Sequence, residues 1–258
     1  MKPLQTDLSI YAEFHFERPP VGVKFQFFKP ENVAPLSPEK PCSLCEMLAE
    51  AYTCPEPFYF GGEFPETCVG KILLGMQEMG PFAESGQIGE HLGVFGEARA
   101  NYALYQHVPR FQKNVVRYAV FSPMDTLAFD PDVFVLTADP DQAEILLRSM
   151  TYSTGEMYVS RTTPVMGCAW TLIYPFQSGS VNFLLPEFVH GMKGRAIFPK
   201  GSVLVSVPYR WLPVMTANLR EMPWRLRAHN SRRDYLEEFG NVLSELSWKA
   251  GTSGGAGR

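Results

Sequence analysis

The sequence feature that most constrains the fold is an order of short segments that occurs twice along the chain. Each half has a strand-like run, then a helical run, a second short strand and a segment led by cysteine. In the first half these segments are 21–28, 42–52, 58–60 and a run from Cys68. In the second half they are 131–137, 139–150, 156–160 and a run from Cys168. This order predicts short strands packed with short helices.

The spacing of individual residues suggests that the two halves arose by internal duplication. Tyr52 and Tyr152, and likewise Cys68 and Cys168, are 100 positions apart, and VRYAVFSP at 116–123 resembles VLVSVP at 203–208. The hypothesis predicts a pseudo-twofold axis, with Cys68 and Cys168 in equivalent places and facing one another. The alternative is that any chain of alternating strands and helices shows a similar rhythm.

The fold class expected from this pattern is α+β, with two strand–helix–strand halves around one core. We expect a single domain over 1–250, whose halves cover about 18–128 and 129–220. A C-terminal helix at 230–249 has one apolar stripe, which packs on its own subunit or against a second copy in a homodimer. The stripe consists of Tyr235, Leu236, Phe239, Val242, Leu243 and Leu246. The glycine-rich end, 250–258, is expected to be a flexible tail.

Composition excludes several classes of function. With 23 Lys and Arg against 27 Asp and Glu, the net charge of −4 argues against a nucleic-acid-binding protein, which needs a basic surface. No run approaches the roughly 20 apolar residues of a membrane helix, and the first twenty residues lack the apolar region of a signal peptide. We therefore expect a cytoplasmic protein, whose five cysteines are thiols or metal ligands.

The cysteines are the strongest chemical signal. Four of them, Cys42, Cys45, Cys54 and Cys68, lie within one short stretch, and thiolates are the ligands that select zinc, copper(I) or iron–sulfur clusters. A second close pair, as in zinc ribbons, is missing. The duplication favours Cys68 and Cys168 as metal ligands with Cys45 as the third, and Cys42 and Cys54 are set aside. Buried apolar thiols, or a nucleophilic or redox-active cysteine, are the alternatives.

Two turns beside these cysteines predict where a cofactor would bind. Gly70 and Lys71 follow Cys68 in a turn whose backbone N–H groups could hold an anion, and Gly167 precedes Cys168 in the corresponding turn. Trp170 provides an aromatic wall suited to a flat cofactor. The candidate catalytic groups are Cys68 and Cys168, with His190 in a loop bracketed by glycine as the acid–base residue. No P-loop, dinucleotide-binding motif or serine nucleophile motif occurs.

Several of these motifs, in this order, resemble the uncharacterised domain-of-unknown-function family 169 of bacteria and archaea. The similarity covers roughly 18–215 and is carried by PPVGVKF, the Cys45-led helix, Cys68-Val-Gly, PDVFVLTADPDQA, Gly167-Cys168 and YPFQSG. The resemblance implies that Cys45, Cys68 and Cys168 are the thiols in motif positions. This chain departs from the family's pattern after the third strand of the second half, where many members have a further cysteine and this chain has FLLPEFVHGMKGR. The family supplies no established activity.

Together these observations favour a cytoplasmic protein that binds a metal, an iron–sulfur cluster or a planar redox cofactor near the interface of the two halves. One alternative is a thiol-dependent enzyme that acts on a small anionic substrate. Another is a ligand-binding or accessory module without catalysis. The partners expected are a small-molecule ligand or cofactor and a redox partner protein or second copy of the chain, but neither nucleic acid nor a membrane.

Overall fold

A computed structural model describes residues 1–36 and 42–252, with side chains up to residue 246. The described chain forms two compact units, Met1–Arg220 and a second unit that begins at Glu221. Residues 37–41 and most of the predicted tail, 253–258, lie outside the described residues.

The first unit is built on one sheet of seven strands, in the order β2-β3-β4-β1-β5-β7-β6. Neighbouring strands are antiparallel except for the parallel pair β2–β3. The strands are β1 Val21–Gln26, β2 Ala34–Pro35, β3 Phe58–Gly61, β4 Tyr118–Pro123, β5 Val133–Ala138, β6 Asn182–Leu184 and β7 Val203–Pro208. The α+β class is therefore confirmed, as a mixed sheet with a C-terminal helix.

Strand order has the same pattern on both sides of the central β1–β5 pair. Moving outward from β1, the chain places β4 and then β3, with the two-residue β2 at the edge. Moving outward from β5, it places β7 and then β6. On each side, therefore, the strand that comes first in the chain is central, the strand that comes last lies beside it, and a strand between them in the chain lies farther out.

Helices fill the connections between strands, and the longer ones begin at recognisable caps. Ser43 and Glu46 form a capping box at the start of α1, and Asp139 and Gln142 form another at the start of α6. The helices are α1 Leu44–Thr53, α2 Gly70–Leu73, α3 Pro81–Glu84, α4 Gln87–His91, α5 Ala98–Tyr105, α6 Pro140–Thr151, α7 Tyr174–Ser178, α8 His190–Arg195, α9 Leu212–Glu221 and α10 Arg232–Thr252. A π-helical turn, Ala169–Ile173, leads directly into α7.

The two faces of the sheet are covered by different helices. On one face, Val21 and Val23 of β1 and Val135 of β5 share a hydrophobic cluster with α1 and the π-helical turn. On the opposite face, Phe134 packs edge-on against the buried ring of Tyr11, with 5.4 Å between ring centres. Because α1 and the π-helical turn lie on the same face, the cysteines at their beginnings can meet above the sheet.

Two segments differ from the sequence predictions. The predicted strand at 156–160 does not form: this segment has no regular secondary structure, and next to it the Asn182 amide bonds the N–H and C=O of Arg161 at 2.8 and 3.0 Å. The predicted flexible glycine-rich loop before α5 contains α4, and Gly86, with φ of +85°, is its N-terminal cap. An added Cβ at Gly86 would lie 2.2 Å from the Ala98 carbonyl oxygen, so close backbone packing accounts for this glycine.

The second unit is dominated by α10. Ser231 accepts a hydrogen bond from the Asp234 N–H at 3.1 Å, as expected for a helix N-cap, and Arg227 pairs with Glu237 at 3.0 Å. The predicted apolar stripe is present on the helix, and each of its six side chains is about half exposed, for example Leu243 at 48%. Within the described residues, no helix has the length and apolar character that crossing a membrane requires.

Candidate functional site

Three of the five cysteines come together on the sheet face covered by α1. Cys45 is the second residue of α1 and is 8% exposed, while Cys168 directly precedes the π-helical turn and is 4% exposed. Both lie in the same buried hydrophobic cluster, and Cys168 interacts electrostatically with Cys45 and with Cys68. Cys68 itself lies in the bend between β3 and α2 and is exposed to solvent.

Cys45 is positioned by the first turn of α1. The Glu46 carboxylate accepts hydrogen bonds from both the N–H and the hydroxyl of Ser43, each at 2.7 Å, and this fixes where the helix begins. Leu44 is buried against Gly70, where an added Cβ would lie 2.5 Å from the Leu44 Cγ. The start of α1 is thereby packed directly on the start of α2, two residues after Cys68.

Cys168 is positioned by the irregular helix that follows it. A π-helical turn leaves backbone groups without their usual helical partners, and such turns occur often at functional sites. Here the Asn182 amide donates to the Trp170 carbonyl at 2.8 Å, and the Thr171 hydroxyl donates to the Gly167 carbonyl at 3.0 Å. Gly167 also permits close packing, because an added Cβ would lie 2.7 Å from the methyl carbon of Met192.

The electrostatic environment keeps these thiols protonated. The hydrogen bond that the Cys168 thiol makes to Cys45 raises the pKa of Cys168 well above its usual value, and burial and the nearby Glu66 raise it further. Loss of water around the sulfur, together with Cys168, raises the pKa of Cys68, although the nearby Arg195 partly opposes this. A neutral thiol is a weak nucleophile, so neither cysteine is an activated thiolate at neutral pH.

Glu66 is the carboxylate of this site, and it organises the bend that carries Cys68. Its two oxygens accept hydrogen bonds from the N–H groups of Gly70 at 2.8 Å and Lys71 at 3.2 Å. Burial raises the pKa of Glu66, although these hydrogen bonds oppose the shift. The two N–H groups that the sequence analysis assigns to an anionic cofactor are therefore bonded to a carboxylate of the chain itself.

The structure also gives the surroundings of Trp170, His190 and Cys54, three residues that the sequence analysis considered. Trp170 is buried, and its indole N–H donates to the Thr163 hydroxyl at 2.7 Å, so it serves the core. His190 is exposed at the start of α8, where its backbone N–H donates to the Pro164 carbonyl. Cys54 follows the last turn of α1, at the opposite end of that helix from Cys45.

Two polar contacts that the sequence analysis did not select lie at the two ends of α1. Arg195 faces Glu46 at 3.6 Å between the guanidinium and the carboxylate. Near the other end of α1, the Tyr52 hydroxyl is hydrogen-bonded to the Thr137 hydroxyl at 2.6 Å, and burial raises the pKa of Tyr52 to about 12. Glu66 carried no distinguishing signal, since a single glutamate near a glycine is common in any sequence.

The arrangement of potential metal ligands is incomplete as it stands. In the parts of the chain that the structure describes, no group of three or more His, Cys, Asp or Glu side chains has the geometry to hold a metal ion. Any ligation that uses Cys45, Cys68 and Cys168 together therefore requires at least one of them to move. Cys68 is the exposed member and lies outside regular secondary structure.

Comparison with known proteins identifies the family of the chain. The model of family DUF169, described as "Uncharacterised ArCR", matches residues 9–218, which is most of the chain and nearly all of the first unit. The chain belongs to the DUF169 family. This confirms the resemblance based on the cysteine and proline motifs, and the match includes Cys45, Cys68 and Cys168. No significant match was found among curated proteins or among solved structures.

Proposed function

We propose that this DUF169 protein binds a thiophilic metal ion or an iron–sulfur cluster through Cys45, Cys68 and Cys168. The observation that carries the proposal is the grouping of thiols from three separate segments: Cys45 and Cys168 share one buried cluster, and Cys168 interacts electrostatically with both Cys45 and Cys68. Thiolates are the ligands that zinc, copper(I) and iron–sulfur clusters prefer. A bound centre of this kind would support either a structural or an electron-transfer role.

The charge of the site favours a cation over an anion. Burial is the main cause of the raised pKa of Cys68, and the hydrogen bond to Cys45 is the main cause for Cys168, but the negative charges of the ionised thiols and of Glu66 also repel one another. A bound cation removes this repulsion, whereas an anionic substrate adds to it. The thiol-dependent enzyme acting on an anion is therefore the weaker alternative, and the exposed His190 has no described link to the thiols that would make it a base.

Binding would require the bend around Cys68 to adjust. Cys45 and Cys168 are held by helix starts, whereas Cys68 lies in a bend where it can move toward them. The Glu66 hydrogen bonds to Gly70 and Lys71 anchor the far side of this bend. We expect the Cys68 side of the bend to close over the metal while α2 stays in place.

We also infer that the two halves of the sheet arose by duplication, because each side of the β1–β5 pair has the same strand order.

Anaerobic purification with metal analysis and absorption spectroscopy tests the metal proposal. We expect about one metal ion or cluster per chain in the wild-type protein and in Cys54→Ser, the matched control at the opposite end of α1. Cys68→Ser should lose the metal while keeping the far-ultraviolet circular dichroism spectrum, because the residue is exposed. When metal-free protein is titrated with Co²⁺ or Zn²⁺, wild type and Cys54→Ser should bind the metal and Cys68→Ser should not. Binding that is absent from wild type, or unchanged in Cys68→Ser, would contradict the proposal.

A further inference from the structure

A small cavity lies at the end of the sheet where β5 leads into α6 and the chain enters β7. Its volume is about 230 Å³, and the described residues that line it include no cysteine. The antiparallel pairing of β5 with β7 ends at Ala138 and Val203, so Asp139 and Ser202, just beyond this pair, lie opposite each other at the cavity. Another wall is formed around His15, which follows a short 3-10 helix. The cavity is therefore separate from the proposed metal site.

The walls of the cavity are joined by the side-chain amide of Gln142. Its Oε1 accepts a hydrogen bond from the Asp139 N–H at 3.0 Å, and its Nε2 donates to the Phe14 carbonyl at 2.9 Å. One side chain thus ties the start of α6 to the segment that carries His15. His15 itself has a left-handed backbone with φ of +52°, a conformation that is uncommon for residues other than glycine and that occurs often at functional sites. The cavity is preformed by bonds of the chain itself.

The hydroxyl of Ser202 has an unmet requirement for a hydrogen bond. Thr137 and Ser202 are the residues with hydroxyl groups among those that line the cavity. The Thr137 hydroxyl is bonded to Tyr52 at 2.6 Å, whereas Ser202, at 5% exposure, has a buried hydroxyl without a partner in the part of the chain that the structure describes. Burial of a polar group without a partner is unfavourable. A molecule in the cavity supplies the missing partner.

Charges of both signs line the cavity without neutralising one another. Lys200 provides a cation, and Glu17 and Asp139 provide carboxylates. Over the described ranges, 1–36 and 42–246, none of these three side chains takes part in an ion pair. The two carboxylates repel a ligand that is only anionic, and Lys200 repels a ligand that is only cationic. A small molecule that carries both a carboxylate and an ammonium group can pair with both signs.

We propose that this cavity binds a free α-amino acid. The ligand carboxylate pairs with Lys200, its ammonium group pairs with Glu17 and Asp139, and the Ser202 hydroxyl provides a further hydrogen bond. The volume agrees with this class of ligand, since about 230 Å³ is smaller than the roughly 300–1,000 Å³ of pockets that hold drug-sized molecules. A nucleotide or a flavin is therefore too large.

Isothermal titration calorimetry of the full-length protein with each of the standard L-amino acids tests the proposal. We expect at least one of them to bind with a Kd below about 1 mM. The matching amine without the carboxylate, and the matching N-acetylated amino acid, should each bind at least about tenfold more weakly, because each lacks one of the two charges. The absence of binding by every amino acid, or equal binding by the amine or by inorganic phosphate, would overturn the proposal.

Substitutions at the lining residues locate the binding. Lys200→Gln and Glu17→Gln should each weaken binding at least about tenfold and leave the unfolding midpoint unchanged, because both side chains are exposed. Lys193→Gln, which changes an exposed lysine outside the cavity, is the matched control and should bind as wild type does. If Lys200→Gln and Glu17→Gln also bind as wild type does, the ligand lies elsewhere and the proposal is wrong.

Ser202→Ala separates a role in binding from a role in folding. The unfolding midpoint of the ligand-free protein should not fall, since the Ser202 hydroxyl has no described partner to lose. Binding should nevertheless weaken about three- to tenfold, the usual effect of one neutral hydrogen bond. A Ser202→Ala protein that binds the amino acid as tightly as wild type would refute the role of this hydroxyl.

Discussion

Removal of the Glu66 carboxylate should lower the stability of the site. In Glu66→Ala, the buried Gly70 N–H and the neighbouring Lys71 N–H lose acceptors at 2.8 and 3.2 Å. A hydrogen bond to a charged group contributes about 1.5–3 kcal/mol, but relief of the carboxylate's own desolvation offsets part of that loss. We expect a net loss of about 2 kcal/mol in the free energy of unfolding. For a chain of this size the midpoint of thermal unfolding should fall by about 4–8 °C.

Thermal and urea unfolding of two glutamate variants measure this effect. The control is Glu56→Ala, which removes an exposed glutamate nearby and should change stability by less than about 0.5 kcal/mol. Glu66→Gln keeps one acceptor oxygen and should lose about half as much stability as Glu66→Ala. If Glu66→Ala is as stable as Glu56→Ala, then Glu66 does not organise the Cys68 bend, and the reasoning for that segment is wrong.

The pH dependence gives an independent check of the environment of Glu66. Burial raises the pKa of Glu66, so the native protein binds this proton more tightly than the unfolded chain does. The resulting contribution to stability is fully present below the ordinary glutamate pKa of about 4.3, and it is lost as pH rises through the native value. The stability advantage of wild type over Glu66→Gln should therefore be larger at low pH than at neutral pH. An advantage that grows with pH would contradict the raised pKa.

Three further substitutions test the packing of the first unit and the exposure of α10. Gly167→Ala places a Cβ 2.7 Å from the Met192 methyl group and should cost about 1–3 kcal/mol, measured by urea unfolding; no loss would mean that Met192 moves freely. Asn182→Ala leaves backbone groups of the π-helical turn and of the adjacent 156–161 segment without partners, so it should cost about 1–3 kcal/mol and increase amide exchange in both places. Leu243→Glu should change the free energy of unfolding of the first unit by no more than about 0.5 kcal/mol, because Leu243 is half exposed. A larger loss of stability, or a change in the sedimentation coefficient, would show that another protein surface covers the apolar stripe of α10.

Local sequence signals predicted most of the regular structure. Asp139 and Pro140 begin α6 as expected, since capping and proline geometry act within a few residues. The strands β4 and β7 lie within the runs 116–123 and 203–208, each of which ends in a proline, and a stopping proline is also a local signal. The predicted strand at 156–160 is absent, and the adjacent Arg161 is bonded by Asn182, a side chain remote in sequence that no local signal indicates.

The candidate site was only partly predictable. The sequence singled out Cys45, Cys68 and Cys168, and in the structure Cys168 interacts electrostatically with the other two. It did not predict that Cys45 and Cys168 share one buried cluster, because spacing along the chain favoured Cys68 as the partner of Cys168. Nor did it indicate that Glu66 bonds the N–H groups of the Gly70 turn, since a single glutamate near a glycine is common in any sequence.

The amino-acid sequence by itself determined the family and the alternation of strands and helices, and it singled out three cysteines, because motifs and periodicity are recorded in neighbouring residues. Only the tertiary structure decided which of these cysteines share a buried cluster. Strand order places α1 and the π-helical turn on the same face of the sheet, and that order is set by long-range pairing of β1 with β5. The three segments that carry the cysteines and Glu66 meet only when the sheet forms. The burial of the thiols and their interaction with Glu66 then determine their chemistry.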